Sequence, residues 1–156
     1  MTVDRSTLLL FDAVCLISSS ASPTGGSGYL LELAHRRFFL VAVSEPVLRE
    51  AERNLTAKFS PMALARFHWY LEEIEFVLAG VVETDDFGRY EAVTGAKDAH
   101  VLAAAIDVDA NAIITLDRPL IAGIRSMFPA LQAMTPGDFI EGPMKSHPEY
   151  LKFRGA

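Results

Sequence analysis

The stretch GAKDAHVLAAAIDVDANAIITLDRPL, residues 95–120, contains a helix, a turn and a strand, with an acidic residue near each end. The alanine-rich run from about 97 to 107 is predicted to be helical, and AIIT at 112–115 is predicted to be a short buried strand. Asp98 lies in the first turn of this helix, and Asp117 follows the strand. This alternation is typical of α/β domains built around a parallel sheet.

The rest of the chain repeats the alternation of strand and helix on both sides of this unit. Five short apolar strands separated by helices predict a mostly parallel sheet that is covered on both faces. The serine- and glycine-rich stretch 18–28 between the first strand and the first helix is predicted to be a flexible loop. The remaining predicted strands open at residue 8 and span 38–43, 81–84 and 131–134, and the remaining predicted helices span 29–37, 44–55, 60–79 and 118–127.

Composition limits the classes to which the protein can belong. The chain has 156 residues, enough for one domain with its own core. No apolar run approaches the roughly 20 residues that cross a bilayer, so we expect no membrane segment. The single cysteine, Cys15, cannot close an intramolecular disulfide, which fits a reducing cytoplasm. The net charge of −6 argues against nucleic-acid binding by long-range attraction alone, so a nucleic-acid site needs a local basic surface or a bound cation.

Acidic residues are predicted to gather along one edge of the sheet. In a parallel sheet, the carboxyl ends of the strands and the first turns of the following helices meet at that edge. Asp12 and Asp117 follow the first and fourth strands, Asp98 begins the helix after the third, and Glu45 and Glu50 lie in the helix after the second. Each alone is explained as a turn residue or a helix-start acid. Their distribution over consecutive junctions instead predicts one cluster.

Such a cluster needs a counter-charge. Two carboxylates about 4 Å apart repel by about 4 kcal/mol at an effective dielectric near 20, so the site must hold protons or bind a cation. Hard oxygen ligands favour magnesium or manganese. A zinc site is not predicted, because the chain has one cysteine and its four histidines lack paired ligand spacing.

These residues resemble the PIN-domain nucleases, which include the VapC-type toxins of bacterial toxin–antitoxin pairs. The resemblance covers about residues 7–141, and it depends on the order and spacing of its parts more than on any one of them. The parts are LLLFDAVCLISS, VSEPVLREAERNL, KDAHVLAAAI, IITLDRPLI and MTPGDFI.

The resemblance implies a three-layer α/β/α sandwich, and we expect this domain to span residues 1–141. Residues 142–156 contain two prolines and several charges, which predicts a peripheral C-terminal tail. It implies an endoribonuclease in which the acids hold Mg²⁺ or Mn²⁺ and the cation activates a water for attack on the RNA phosphodiester. It also implies an RNA substrate, an antitoxin partner, a cytoplasmic location and a homodimer, to which the predicted helix at 60–79 would contribute. Thr115 matches the family's usual hydroxyl, and the family's four acids fall on Asp12, Glu50, Asp98 and Asp117.

Two points about the predicted site stay open. Helical periodicity does not choose among Glu45, Glu50 and Glu52, and only the match to the family's helix favours Glu50. Val14 stands where many family members carry Asn or Ser to orient the first acid. The alternative to a nuclease is therefore a catalytically weakened PIN-like interaction or scaffold protein.

Basic residues near the predicted acids are the expected contacts for RNA phosphates, because phosphate contacts come largely from arginine and lysine. Arg49 and Arg53 lie on the same predicted helix as Glu50, and Lys97 directly precedes Asp98. We expect these three to guide the substrate, although each is also typical of a solvated surface charge.

Overall fold

The computed structural model describes residues 1–80, 87–95 and 98–155. Within this part of the chain, five strands form one sheet in the order β3-β2-β1-β4-β5, and every neighbouring pair is parallel. The predicted parallel α/β architecture is therefore confirmed. The strands are β1 (Leu8–Phe11), β2 (Leu40–Ser44), β3 (Val77–Ala79), β4 (Ala112–Ile114) and β5 (Gln132–Met134).

Helices connect the strands and cover the two faces of the sheet. They are α1 (Ala13–Ala21), α2 (Gly26–His35), α3 (Glu45–Lys58), α4 (Pro61–Glu73), α5 (Phe87–Thr94), α6 (Ala99–Asp107), α7 (Arg118–Met127), α8 (Pro136–Glu141) and α9 (Tyr150–Gly155). A 3₁₀ turn at Pro143–Ser146 precedes α9. Helix α1 packs against α2, α3 and α4, whereas α5 packs against α6 and α7. These two groups are the outer layers of an α/β/α sandwich.

The central strands are apolar along their whole length because both of their faces are covered. Leu9, Leu10 and Phe11 of β1 are fully buried, as are all three residues of β4. The register pairs Phe11 with Ile114. The residues that follow, Asp12 and Thr115, therefore emerge side by side at the carboxyl edge of the sheet.

The first helix differs from its prediction, since a loop was expected at 18–28. Helix α1 begins directly after β1 and continues through the serines to Ala21. The hydroxyls of Ser19 and Ser20 donate hydrogen bonds to the carbonyl of Leu16 at 2.9 and 2.8 Å. Because these hydroxyls are satisfied within the helix, both serines are buried in it rather than solvated in a loop.

The predicted helix at 60–79 was wrong over its last six residues, 74–79. Helix α4 ends at Glu73, and Ile74 has extended backbone dihedrals. The chain then forms β3, in which Val77 pairs with Ala42 and Leu78 pairs with Val43 of β2. Edge pairing with the sheet overrides the helical period, and it leaves Leu78 63% exposed. The strand expected at 81–84 lies outside the described residues.

Residues from Gly142 onward pack against the domain. Met144, His147 and Tyr150 are buried. His147 Nε2 donates to the carbonyl of Phe38 at 2.7 Å, and Nδ1 accepts from the amide of Glu149 at 3.1 Å. The segment that was predicted to be a C-terminal tail therefore packs on one side of the core.

No helix in the described ranges is both long enough and apolar enough to span a membrane.

Candidate active site

Asp12 is a buried carboxylate at the carboxyl end of the central strand. Asp12 is only 5% exposed. Its amide donates to the carbonyl of Ile114 at 3.1 Å, which extends the β1–β4 pairing by one residue. One carboxylate oxygen accepts from the amide of Ala13 at 2.7 Å. The other accepts from the hydroxyl of Thr115 at 2.8 Å. Both oxygens are therefore fixed in direction before any ligand binds.

Thr115 joins two of the predicted acids. Its buried hydroxyl donates to Asp12 and accepts from the amide of Asp117 at 3.1 Å. The carboxylate of Asp117 in turn accepts from the amide of Leu120 at 3.0 Å and caps α7. A continuous hydrogen-bonded path thus runs from the end of β1 to the start of α7.

Asp98 immediately precedes α6 and is half-buried. Its backbone carbonyl accepts from the amide of Val101 at 3.0 Å, but its side chain makes no cap hydrogen bond to the helix. In this respect Asp98 differs from Asp12 and Asp117, whose carboxylates accept the cap bonds of α1 and α7. Capping therefore does not explain the presence of an acid at position 98.

The structure distinguishes the three glutamates of α3 by their surroundings. Glu45 forms an exposed ion pair with Arg49, and Glu52 lies 3.8 Å from His68 on the surface. Glu50 is half-buried and lines a cavity between α3 and the start of α6. It is thus the α3 glutamate that faces the helix carrying Asp98.

The donor chemistry of this edge fits a hard divalent cation, since it consists of carboxylate and hydroxyl oxygens. Asp12 is buried, yet neither Asp12 nor Asp117 forms an ion pair with any described residue. Across residues 1–80, 87–95 and 98–155, no group of three or more Asp, Glu, His or Cys side chains is arranged to hold a metal ion. The donors thus suit a cation in type, but the four predicted acids do not form a closed cage.

The cavity beside Glu50 has a volume of about 350 Å³. Besides Glu50, its lining includes Arg49, Arg53 and His100. The Nδ1 atom of His100 is shielded from solvent and has no hydrogen-bond partner in the described part of the chain. Lys97, the third predicted substrate contact, lies outside the described residues.

His100 was not predicted as part of the site, because the four histidines lack the paired spacing of zinc ligands. The available signal was its place two residues after Asp98, in the first turn of α6. Val14, where a polar residue was expected, is 43% exposed at the start of α1. The hydrogen bonds that orient Asp12 come from Thr115 and Ala13 instead.

Cys15 lies in the first turn of α1, three residues after Asp12. Its thiol is completely buried, and this burial raises the pKa of the thiol to about 12. Burial is the larger cause of this pKa shift, and the neighbouring charge of Asp12 contributes in the same direction. Cys15 is therefore a protonated core residue and does not serve as a thiolate ligand.

Solved structures share this fold. One is VapBC2 from Rickettsia felis, crystallised bound to a DNA fragment from its promoter. It matches with a TM-score of 0.62 at 15% identity, over 83% of this chain and 98% of that chain. PAE2754 from Pyrobaculum aerophilum matches with a TM-score of 0.53 at 20% identity, over 82% of this chain and 84% of that chain. No curated protein sequence matches this chain.

The sequence itself matches a family. Residues 8–119, from the start of β1 to the first turn of α7, match the PIN domain family. This range covers most of the chain and includes all four predicted acids, and it agrees with the resemblance inferred from the motifs. The chain belongs to the PIN-domain family.

Proposed function

We propose that this protein is a metal-dependent endoribonuclease, and that it acts as the toxin of a toxin–antitoxin pair. Family membership supports a nuclease. The observation that carries the proposal is the hydrogen-bonded path Asp12–Thr115–Asp117 at the carboxyl edge of the sheet. Burying a carboxylate costs free energy, and no cation among the described residues neutralises Asp12. A carboxylate buried at such a cost is typical of a site that binds a ligand.

The residues of the chain prepare the site in two ways. Thr115 and the amide of Ala13 hold the carboxylate of Asp12 in one orientation. The cap bond from the amide of Leu120 fixes the carboxylate of Asp117 at the start of α7. Because these bonds are made in the folded chain, the carboxylates need no reorganisation when substrate arrives.

Asp12, Asp98 and Asp117 would hold Mg²⁺ or Mn²⁺, with Glu50 as an outer ligand. A bound divalent cation would lower the pKa of a water and neutralise charge on the phosphoryl oxygens of RNA. Arg49, Arg53 and Lys97 would contact the substrate's phosphates.

The partners follow from the same reasoning. The fold match to VapBC2 supports an antitoxin as the protein partner of this chain. A homodimer and a cytoplasmic location complete the proposal. Trp69, which is 46% exposed on α4, is an apolar surface that a protein partner would cover.

Cleavage of a labelled single-stranded RNA tests the activity. We expect cleavage with millimolar Mn²⁺ or Mg²⁺, none in EDTA, and none with Asp12→Asn prepared in the same way. Cleavage that survives in EDTA or in Asp12→Asn would come from a contaminant, and absence of cleavage with both ions would reject the nuclease.

A PIN-like scaffold or interaction protein is the second candidate, favoured by the lack of a three-acid group suited to a metal among the described residues. Metal binding separates the two functions, because an ion that binds only the folded state raises the melting temperature. For the nuclease, we expect millimolar Mn²⁺ to raise the melting temperature of the wild type and to have a smaller effect on Asp12→Asn. Equal melting temperatures with Mn²⁺ and with EDTA would favour the scaffold.

A further inference from the structure

Two exposed apolar side chains lie beside the predicted acids at the carboxyl edge of the sheet. Val14 follows Asp12 by two residues, and Leu116 lies between Thr115 and Asp117. The exposed fractions of Val14 and Leu116 are 43% and 44%, although Asp12 and Thr115 are buried. The edge that carries the carboxylates therefore carries exposed apolar surface as well.

Hydrogen bonds bring together the two backbone segments that carry these side chains. The thiol of Cys15, in the first turn of α1, donates to the carbonyl of Ile114 at 3.5 Å. The hydroxyl of Thr115 donates to the carboxylate of Asp12 at 2.8 Å, between the same two segments. The first turn of α1 therefore lies against the segment that leaves β4, so the two exposed residues belong to one small region of the surface.

Local structure favours polar residues at both positions. Val14 is the second residue of α1, and the first turn of a helix favours acidic side chains. Leu116 lies between β4 and the cap residue of α7, in a connection where Gly, Asn, Asp and Ser are the usual residues. Both side chains lie outside the buried core. Neither helix formation nor core packing accounts for apolar side chains here, which favours contact with an apolar group of a ligand.

We propose that Val14 and Leu116 contact the face of one unpaired base of the RNA strand, next to the phosphodiester at Asp12 and Asp117. The inference rests on the proposed function for the identity of the strand. Phosphate and ribose are polar, so the flat face of a base is the apolar surface that an RNA strand offers. Aliphatic side chains pack against this face without reading the hydrogen-bonding edge, so we expect any base to be accepted.

This contact would set the position of the strand rather than break a bond, so Val14 and Leu116 are positioning residues. Thr115 and the amide of Ala13 already orient Asp12, which leaves the side chain at position 14 available for substrate. A base contact adds affinity without adding charge. It should therefore leave the salt dependence of RNA binding unchanged, whereas contacts from arginine to phosphate alter it.

Fluorescence anisotropy in EDTA at low salt compares a labelled oligoadenylate with an abasic oligoribonucleotide of equal length. The two carry the same number of phosphates, so a preference for the first comes from its bases. We expect the wild type to prefer the oligoadenylate. Val14→Ala and Leu116→Ala should each lower the affinity for it by about fivefold, because the removed methyl groups no longer cover the base. Affinity for the abasic strand and the salt slope should stay unchanged in both variants.

Leu151→Ala is the matched control, because it truncates a leucine that is 63% exposed on α9. It should bind both oligonucleotides as the wild type does. Leu116→Met should keep most of the preference, since methionine restores apolar surface. Unchanged melting temperatures confirm that the variants are folded.

Three results would overturn the proposal. The first is a wild type with no detectable preference for the oligoadenylate. The second is an equal loss of affinity for both oligonucleotides in Val14→Ala and Leu116→Ala, which would assign these side chains to support of the fold. The third is a full preference in both variants, which would leave the two side chains as surface for a protein partner.

Cleavage by the wild type with Mn²⁺ is measured separately, so the two proposals fail independently. A base preference that depends on Val14 and Leu116, without cleavage, rejects the nuclease and keeps the base contact. Cleavage without any base preference in binding keeps the nuclease and rejects the base contact.

Discussion

The hydroxyl of Thr115 donates a hydrogen bond to the buried carboxylate of Asp12 at 2.8 Å, across the junction between the two central strands. Removing the hydroxyl should leave a carboxylate oxygen without its donor in the protein interior. We expect Thr115→Val to lower the free energy of unfolding in EDTA by about 1–3 kcal/mol, because the shape is kept while a buried acceptor becomes unsatisfied. Urea unfolding measures the loss. Thr115→Ser keeps the hydroxyl and is the control, and equal losses in both variants would assign the effect to packing.

Asp98→Asn separates chemistry from stability. The substitution keeps the size of the side chain and removes one negative charge from the predicted cluster. We expect RNA cleavage to fall by orders of magnitude, because a cation ligand is lost. The melting temperature in EDTA should stay the same or rise slightly, because like-charge repulsion is relieved. Retained cleavage together with a lower melting temperature would show that Asp98 acts only at the start of the helix.

Cys15 should be unreactive in the folded protein. Burial raises the pKa of its thiol to about 12 from an ordinary value of 9.0, and only the thiolate reacts with iodoacetamide. We therefore expect no alkylation at about pH 8 under native conditions and rapid alkylation in urea. Mass spectrometry gives the labelled fraction directly. Rapid labelling of the folded chain would mean that α1 opens readily.

The same thiol makes the free energy of unfolding depend on pH in the alkaline range. The unfolded chain loses the thiol proton near pH 9.0, whereas the folded chain keeps it until about pH 12. The contribution of this thiol to the free energy of unfolding is therefore fully present below pH 9, and it falls as the pH rises toward 12. Cys15→Ala should lose less stability than the wild type over this window. Parallel losses in urea unfolding at several pH values would contradict a thiol origin.

His147 should anchor the C-terminal residues to the core. Both ring nitrogens are used, one by the carbonyl of Phe38 and one by the amide of Glu149. We expect His147→Leu to lower the free energy of unfolding by about 2 kcal/mol or more, because two backbone groups lose their partner. His68→Leu removes an exposed histidine and should change stability by less than about 0.5 kcal/mol. Similar losses in the two variants would show that the hydrogen bonds of His147 contribute little.

Periodicity and strand order were enough to predict the parallel sheet, because the buried strands are continuous apolar runs bounded by turn residues. The helix predicted at 118–127 coincides with α7, whose cap Asp117 and early proline are both local signals. The predicted element boundaries were wrong where a tertiary contact overrides a local sequence preference. Leu78 continues a helical stripe in the sequence, yet it pairs with Val43 in the sheet.

The candidate site was predictable only in part, for a related reason. The edge position of Asp12 and Asp117 follows from parallel topology. The bond from Thr115 to Asp12 and the cavity that joins α3 to His100 depend on register and on helix packing, which no local pattern encodes. The position of Glu50 on that cavity agrees with the choice made from the family's helix, but its role as a ligand stays a prediction.

The bond between Thr115 and Asp12 links residues 103 positions apart in the chain. It can form only after β4 has inserted beside β1. A growing chain in which β4 has not yet left the ribosome therefore lacks the arrangement of acids proposed to cut RNA. If the protein cuts RNA as proposed, the chain would stay inactive toward the RNA that encodes it until β4 has been made.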